Sequence, residues 1–280
     1  MSEPTTIKVN PLSSGTIFKK GFSDVDIFTK LVFDFTSASI EIDEVENEKA
    51  VVEPVVNVAT KFDLFAEDKK NRIIVEAQHA NYGDNFERFF YDHQIAMAET
   101  IASSETYSFP KTVYTLVFFT DRLSPVNGKN ILVHDAQMRD IIDDEAVNGV
   151  FLRKHRLFFI FTKAPEADTR GSEERREWIK AIHATLNGTV CQNEYRNVQI
   201  KRLFDRIAAD KTTAEERAKM KDERNHDTLI EEAVHKELLK TARNMIIRNG
   251  EISNSDISEI TGLSLNDIQD LRKNLKEAQS

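Results

Sequence analysis

Lys61-Phe-Asp-Leu-Phe-Ala-Glu-Asp-Lys-Lys-Asn-Arg-Ile-Ile-Val-Glu-Ala-Gln78 holds two strand-like runs split by the polar, turn-prone Asp68 to Asn71, and it reads as a β-hairpin. With those four residues as the loop, Glu67 stands opposite Arg72, Phe65 opposite Ile74, Asp63 opposite Glu76 and Lys61 opposite Gln78. Two acids then meet across the ladder. Opposed Cβ atoms lie about 4.5–5.5 Å apart, so like charges there destabilise a sheet unless something compensates them. A divalent cation is the obvious compensation. Hard oxygen donors at this spacing suit magnesium, which takes only one or two protein carboxylates and completes its shell with water and phosphate oxygens. The matching reaction is phosphodiester hydrolysis. On the second strand Glu76 and Gln78 share one face while Ile73, Val75 and Ala77 take the other. An exposed hairpin whose acids merely face water is the competing reading of the same spacing.

Outward from the hairpin, Asp24 to Thr36 places Val25, Phe28, Leu31, Val32 and Phe35 on one helical stripe, a first amphipathic helix. Strand-like runs occupy Val55 to Ala66, Arg72 to Gln78, Thr112 to Thr120, Ile131 to His134 and Leu157 to Thr162, and Asn85 to Ala102 carries a long helical pattern. Helix, hairpin, helix, strand is an α/β order with a mixed sheet. Beyond Pro165 the composition becomes charged and helix-favouring, with helices expected over Glu173 to Leu186, Arg196 to Ala208 and Thr213 to Asn249. The lone Trp178 falls on an apolar helix face and reads as core packing. Asn254 to Ile260 and Leu265 to Leu275 flank Thr261-Gly-Leu-Ser264 like a helix-turn-helix, although its second helix offers only Arg272 and Lys273 as bases. A small helical cap or dimerisation tail fits that tail equally. Three regions are therefore expected: 1–165, a helical extension 166–249, and a small helical tail 250–280.

Composition narrows the chemistry. The 280 residues are 40% hydrophobic, enough for a sizeable core, and 30% charged, and no stretch approaches the ~18 apolar residues of a membrane helix. The start lacks a secretory pattern and Cys191 is the single cysteine, so a reducing, cytoplasmic setting is expected. A net charge of -9 argues at first against a nucleic-acid partner. Most of it is local, however: residues 24–60 hold nine acids and two lysines, whereas residues 61–165 carry 13 bases against 15 acids. No Gly-rich phosphate loop appears, His79 and His93 are too far apart for an i, i+4 zinc pair, and Cys191 has no histidine nearby in sequence.

Asp63, the turn, and Glu76-Ala-Gln78 resemble the D…(D/E)xK core of the PD-(D/E)XK nuclease fold. Together with Phe18-Lys-Lys-Gly-Phe-Ser23 and Arg88-Phe-Phe-Tyr91, they resemble the transposase-like, recombination-promoting nuclease family of bacteria over roughly residues 15 to 165. The resemblance implies a restriction-endonuclease-like α/β core, a mixed central sheet flanked by helices, followed by a helical C-terminal region. It implies a DNA endonuclease dependent on Mg²⁺ or Mn²⁺, with Asp63 and Glu76 as ligands and the Ala77 carbonyl as a third. Gln78 stands where most nucleases of the fold place lysine, and an amide hydrogen-bonds without supplying a positive field. Phe62 replaces the proline of the nominal Pro-Asp pair. In the fold generally an acid on the first helix joins the site, and here Glu46 or Glu48, in the segment that follows the predicted helix, would take that place. Arg88 and Tyr91, one turn apart, would contact phosphate, and Lys69 and Lys70 at the hairpin turn would attract DNA. Cutting both strands of a duplex requires two such sites, which admits a homodimer. The alternative is a catalytically weak or inactive DNA-binding or regulatory protein on the same fold.

Overall fold

The computed structural model describes residues 6–50, 60–79, 86–101, 108–120, 122–249 and 251–277. In chain order they form β1 (Thr6–Lys8), α1 (Gly15–Phe22), α2 (Val25–Thr36), β2 (Glu46–Ala50), β3 (Lys61–Glu67), β4 (Asn71–Gln78), α3 (Phe86–Ala98), β5 (Thr112–Phe119), β6 (Ile131–Asp135), β7 (Met138–Arg139), β8 (Ala146–Val147) and β9 (Arg156–Phe161). They continue with α4 (Glu173–Thr185), β10 (Thr189–Cys191), α5 (Val198–Arg206), α6 (Ala214–Arg248), α7 (Asn254–Thr261) and α8 (Leu265–Glu277). Two compact units result, residues 1–220 and 221–280. No helix among the described residues is long and apolar enough to cross a membrane.

The first unit is α/β, built on a six-stranded sheet in the order β2-β3-β4-β5-β9-β6. β4, β5 and β9 run parallel, and the outer pairings are antiparallel. The mixture follows from the connections: a tight turn makes β3 and β4 antiparallel, whereas the crossover through α3 makes β4 and β5 parallel. Central strands carry apolar side chains on both faces because helices cover both. Leu64, Ile73, Val75, Leu116, Phe118, Phe158 and Ile160 join α1, α2, α4 and α5 in one core. Ile74, Val113, Val117, Phe119 and Phe161 face the α3 side.

The helices of the first core are fixed by caps and by one close approach. Asp24 accepts the N–H groups of Asp26 and Ile27 and starts α2. α1, which the apolar periodicity does not announce, is started by Ser14, which accepts the Ile17 N–H, and it carries Gly21 where a Cβ would stand 2.6 Å from Leu203 Cδ1 on α5. Trp178 is fully buried, as the apolar face of α4 implies, and its Nε1–H donates to Asp34 Oδ2 at 2.8 Å.

Several boundaries differ from the sequence expectation. The strand expected over Val55 to Ala66 begins at Lys61 among the described residues, and 55–59 lie outside them. β2 is an unforeseen strand in the acidic segment, paired to β3. α3 ends at Ala98 rather than 102, which lies outside the described residues. The boundary expected at residue 165 falls inside the first unit: β10 pairs with β1, and Ile182, Leu203 and Phe204 sit in the same core as α1 and α2. Helical composition signals local conformation, whereas burial is decided by the partner surface.

In the second unit, Leu238, Leu239, Ala242, Met245 and Ile246 of α6 pack with Ile257 of α7 and Ile268 of α8. Ser253 caps α7, Gly262 ends it at φ 74°, and Ser264 and Asp267 exchange hydrogen bonds to start α8. Arg272 turns inward, donating to Asn254 Oδ1 and the Ile252 carbonyl.

Candidate functional site

The β3–β4 register is Leu64↔Val75, Phe65↔Ile74, Ala66↔Ile73 and Glu67↔Arg72. Continued one step, it sets Asp63 against Glu76. At that step side chains replace the backbone ladder: the Asp63 N–H donates to Glu76 Oε1 at 3.2 Å, and the Ala77 N–H donates to Asp63 Oδ2 at 3.1 Å. The distortion spans three strands. Phe62 and Phe65, which regular pleating would put on opposite faces, stack in one cluster. Glu48, the β2 residue level with Asp63, has φ 58°, in the left-handed region. The two carboxylates therefore meet at the carboxyl end of the parallel strands, where open α/β sheets hold their ligands.

Glu76 is 5% exposed and Asp63 half-buried. Burial, and then the adjacent Asp63 carboxylate, push the Glu76 carboxyl well above its ordinary range. Charge on Asp92 adds to this. Asp92, on α3, is a residue that sequence reasoning missed. It accepts the Thr60 hydroxyl at 3.1 Å and stands 3.8 Å from Arg88 Nε, and burial raises its carboxyl too. The i, i+4 spacing of Arg88 and Asp92 was the available signal, and it is common on solvated helices.

The remaining candidates divide by position. Gln78 ends β4, half-buried, and its carbonyl accepts the Thr120 N–H at 3.2 Å. Arg88 is exposed and lies over the Phe89 ring at 4.9 Å. Tyr91 packs against the Phe62 and Phe65 cluster with its hydroxyl buried and without a hydrogen-bond partner. Glu46 and Glu48 lie on β2, not on a helix. Glu46 pairs with Lys49 at 2.8 Å, and Glu48 bridges Lys19 and Lys61 at 2.6 and 2.7 Å. Those hydrogen bonds, Lys19 first, hold the Glu48 carboxyl down at about 2. Lys69 and Lys70 are exposed at the far end of the hairpin. At ~3.3 Å per residue they stand roughly 20 Å from Asp63, so the structure does not bring them to the carboxylates.

The two side chains also share a hydrogen bond, which favours the protonated form of Glu76. A buried carboxyl group beside a half-buried one fits a divalent ion that would take the rest of its shell from water and substrate. No cluster of three or more His, Cys, Asp or Glu able to hold a metal exists among the described residues. No family model matches this chain, and no curated protein and no solved structure matches it.

Proposed function

We propose that the protein is a magnesium- or manganese-dependent DNA endonuclease of the PD-(D/E)XK type, similar to the recombination-promoting, transposase-derived nucleases. The observation that carries this reading is the pairing of Asp63 with a buried, strongly proton-holding Glu76 at the carboxyl end of the parallel strands. A bound divalent ion supplies an activated water and neutralises charge at phosphorus. Asp63 and Glu76 hold that ion, their second oxygens fixed by the Ala77 and Asp63 amides. Gln78, two residues on, orients the attacking water by hydrogen bonding but contributes no positive charge. Arg88, exposed on α3 above the site's side of the sheet, receives a phosphate.

A second reading has its own observation. Both carboxylates already serve as backbone acceptors, and position 78 is an uncharged amide, which together suit a weak or inactive DNA-binding protein. Nicking of supercoiled plasmid with Mg²⁺ or Mn²⁺ separates the two. Asp63→Asn and Glu76→Gln should each lower the native rate by about 10²-fold or more, and equal rates in all three proteins refute the enzymatic reading.

A further inference from the structure

Between β6, an edge strand of the large sheet, and β9 the chain forms an arm carrying the paired strands β7 and β8. Its tip is a built turn. The Asp140 N–H donates to the Glu145 carbonyl at 2.9 Å, and the carboxylates of Asp140 and Asp143 accept the N–H groups of Ile142 and Glu145 at 2.7 and 3.0 Å. That turn holds Ile141 and Ile142 in solvent at 96% and 89% exposure. Met138, Val147, Val150, Phe151 and Leu152 are exposed as well, the last at 91%. Contiguous apolar surface of several hundred Å² marks an interface on a soluble domain, and a stable one buries roughly 800 Å² per partner.

Charge is divided along the same arm. Residues 140–145 hold four acids and no base, and residues 153–156 hold three bases and no acid. Among the described residues only Asp144 of the four acids is ion-paired, to Arg139. A depression at the root is lined by Met138, Val147, Phe151, Arg153, Lys154 and Arg156 together with one acid, Asp135, whose carboxylate accepts from Gln137 at 3.0 Å, and the Arg156 Nε–H is buried with no acceptor. The tip thus presents apolar side chains with spare acceptors, and the root presents apolar side chains with spare donors. A surface of this kind complements itself when turned about a twofold axis. The acids repel the phosphate backbone of DNA and the headgroups of an anionic membrane.

We propose that the arm joins two copies of this chain, the acidic, isoleucine-bearing tip of each seated on the basic, apolar root of the other, so that one twofold repeats the contact. The association is independent of the nuclease reading. Sedimentation equilibrium of the full chain across a dilution series tests it. The native protein should dimerise, and Ile141→Ser with Ile142→Ser should weaken the dimer by about tenfold or more. Glu145→Lys and Lys154→Glu should each weaken it, and an equimolar mixture of the two should associate more tightly than either alone, because each reversed charge then meets its opposite. All four substituted side chains are exposed, so unchanged melting midpoints confirm that the variants fold. A native monomer at every concentration, whatever DNA or vesicle the arm captures, overturns the proposal. So does a dimer indifferent to the isoleucine changes, or a mixture no tighter than its parts.

Discussion

Glu76 carries the tension at the residue scale. Its carboxyl is raised by burial and by Asp63, so the folded chain holds that proton more tightly than the unfolded one. The metal-free protein therefore loses stability as pH rises from the ordinary carboxylate range toward the raised value. Glu76→Gln keeps an acceptor for the Asp63 N–H and removes the charge. The variant should melt higher than the native protein at pH 8 without metal, and Mg²⁺ should raise only the native midpoint. A variant that melts lower, or that responds equally to Mg²⁺, contradicts the carboxylate-pair account. His93 titrates in the opposite sense. It is buried with Nδ1 2.8 Å from Thr115 Oγ1, and burial, with smaller contributions from His155 and His134, lowers it from 6.5 to about 4. The unfolded chain takes that proton first, so stability is complete above pH 6.5 and is lost as pH falls toward 4, by about 3 kcal/mol. His93→Gln should flatten this acid limb in urea titrations run at successive pH values. An unchanged slope would show that His93 is not the responsible group.

At the element scale, α2 depends on one side chain more than on its stripe. Asp24 caps the helix and accepts from Arg202 at 2.7 Å and Arg206 at 3.5 Å on α5. A lost cap costs about 1 kcal/mol, and the pairing raises this because the aspartate is largely buried. Asp24→Ala should therefore cost about 1–2 kcal/mol by chemical denaturation, against a few tenths for Asp26→Ala, whose carboxylate is 62% exposed. Equal costs would place the stability in the ion pairs rather than the cap. The hairpin shows the same separation of local and cooperative causes. Asp68 accepts the N–H groups of Lys70 and Asn71 and makes the turn where its residues demand one. The distortion at Asp63 needs β2 and β4 on either side.

At the scale of the whole molecule, two cores are separately built. Truncation before residue 250 removes Ile257, Leu263 and Ile268 from the cluster around Ala242 and leaves the first unit's core intact. Calorimetry should then show the first unit's transition unchanged and the second unit's abolished. A lowered first transition would reveal dependence between the units. If the tail contacts DNA, the same truncation should also flatten the salt dependence of DNA affinity. With Arg272 engaged inside the tail's own turn, α8 has one fewer base for that role than its sequence advertises.

The sequence by itself determined the hairpin, its register and the facing of Asp63 and Glu76, because strand alternation and a turn of set length leave a single pairing. It also determined the α3 crossover and the helices beyond Pro165, whose periodicity is local. Tertiary structure alone decided that residues 166–220 complete the first core, that Glu48 is bound by two lysines distant in sequence, and that Asp92 is drawn toward the carboxylates. It decided as well that Lys69 and Lys70 stand at the other end of the strands. Local pattern sets conformation through nearest-neighbour sterics, whereas burial and charge depend on which surfaces meet, and those contacts join residues that no short window contains.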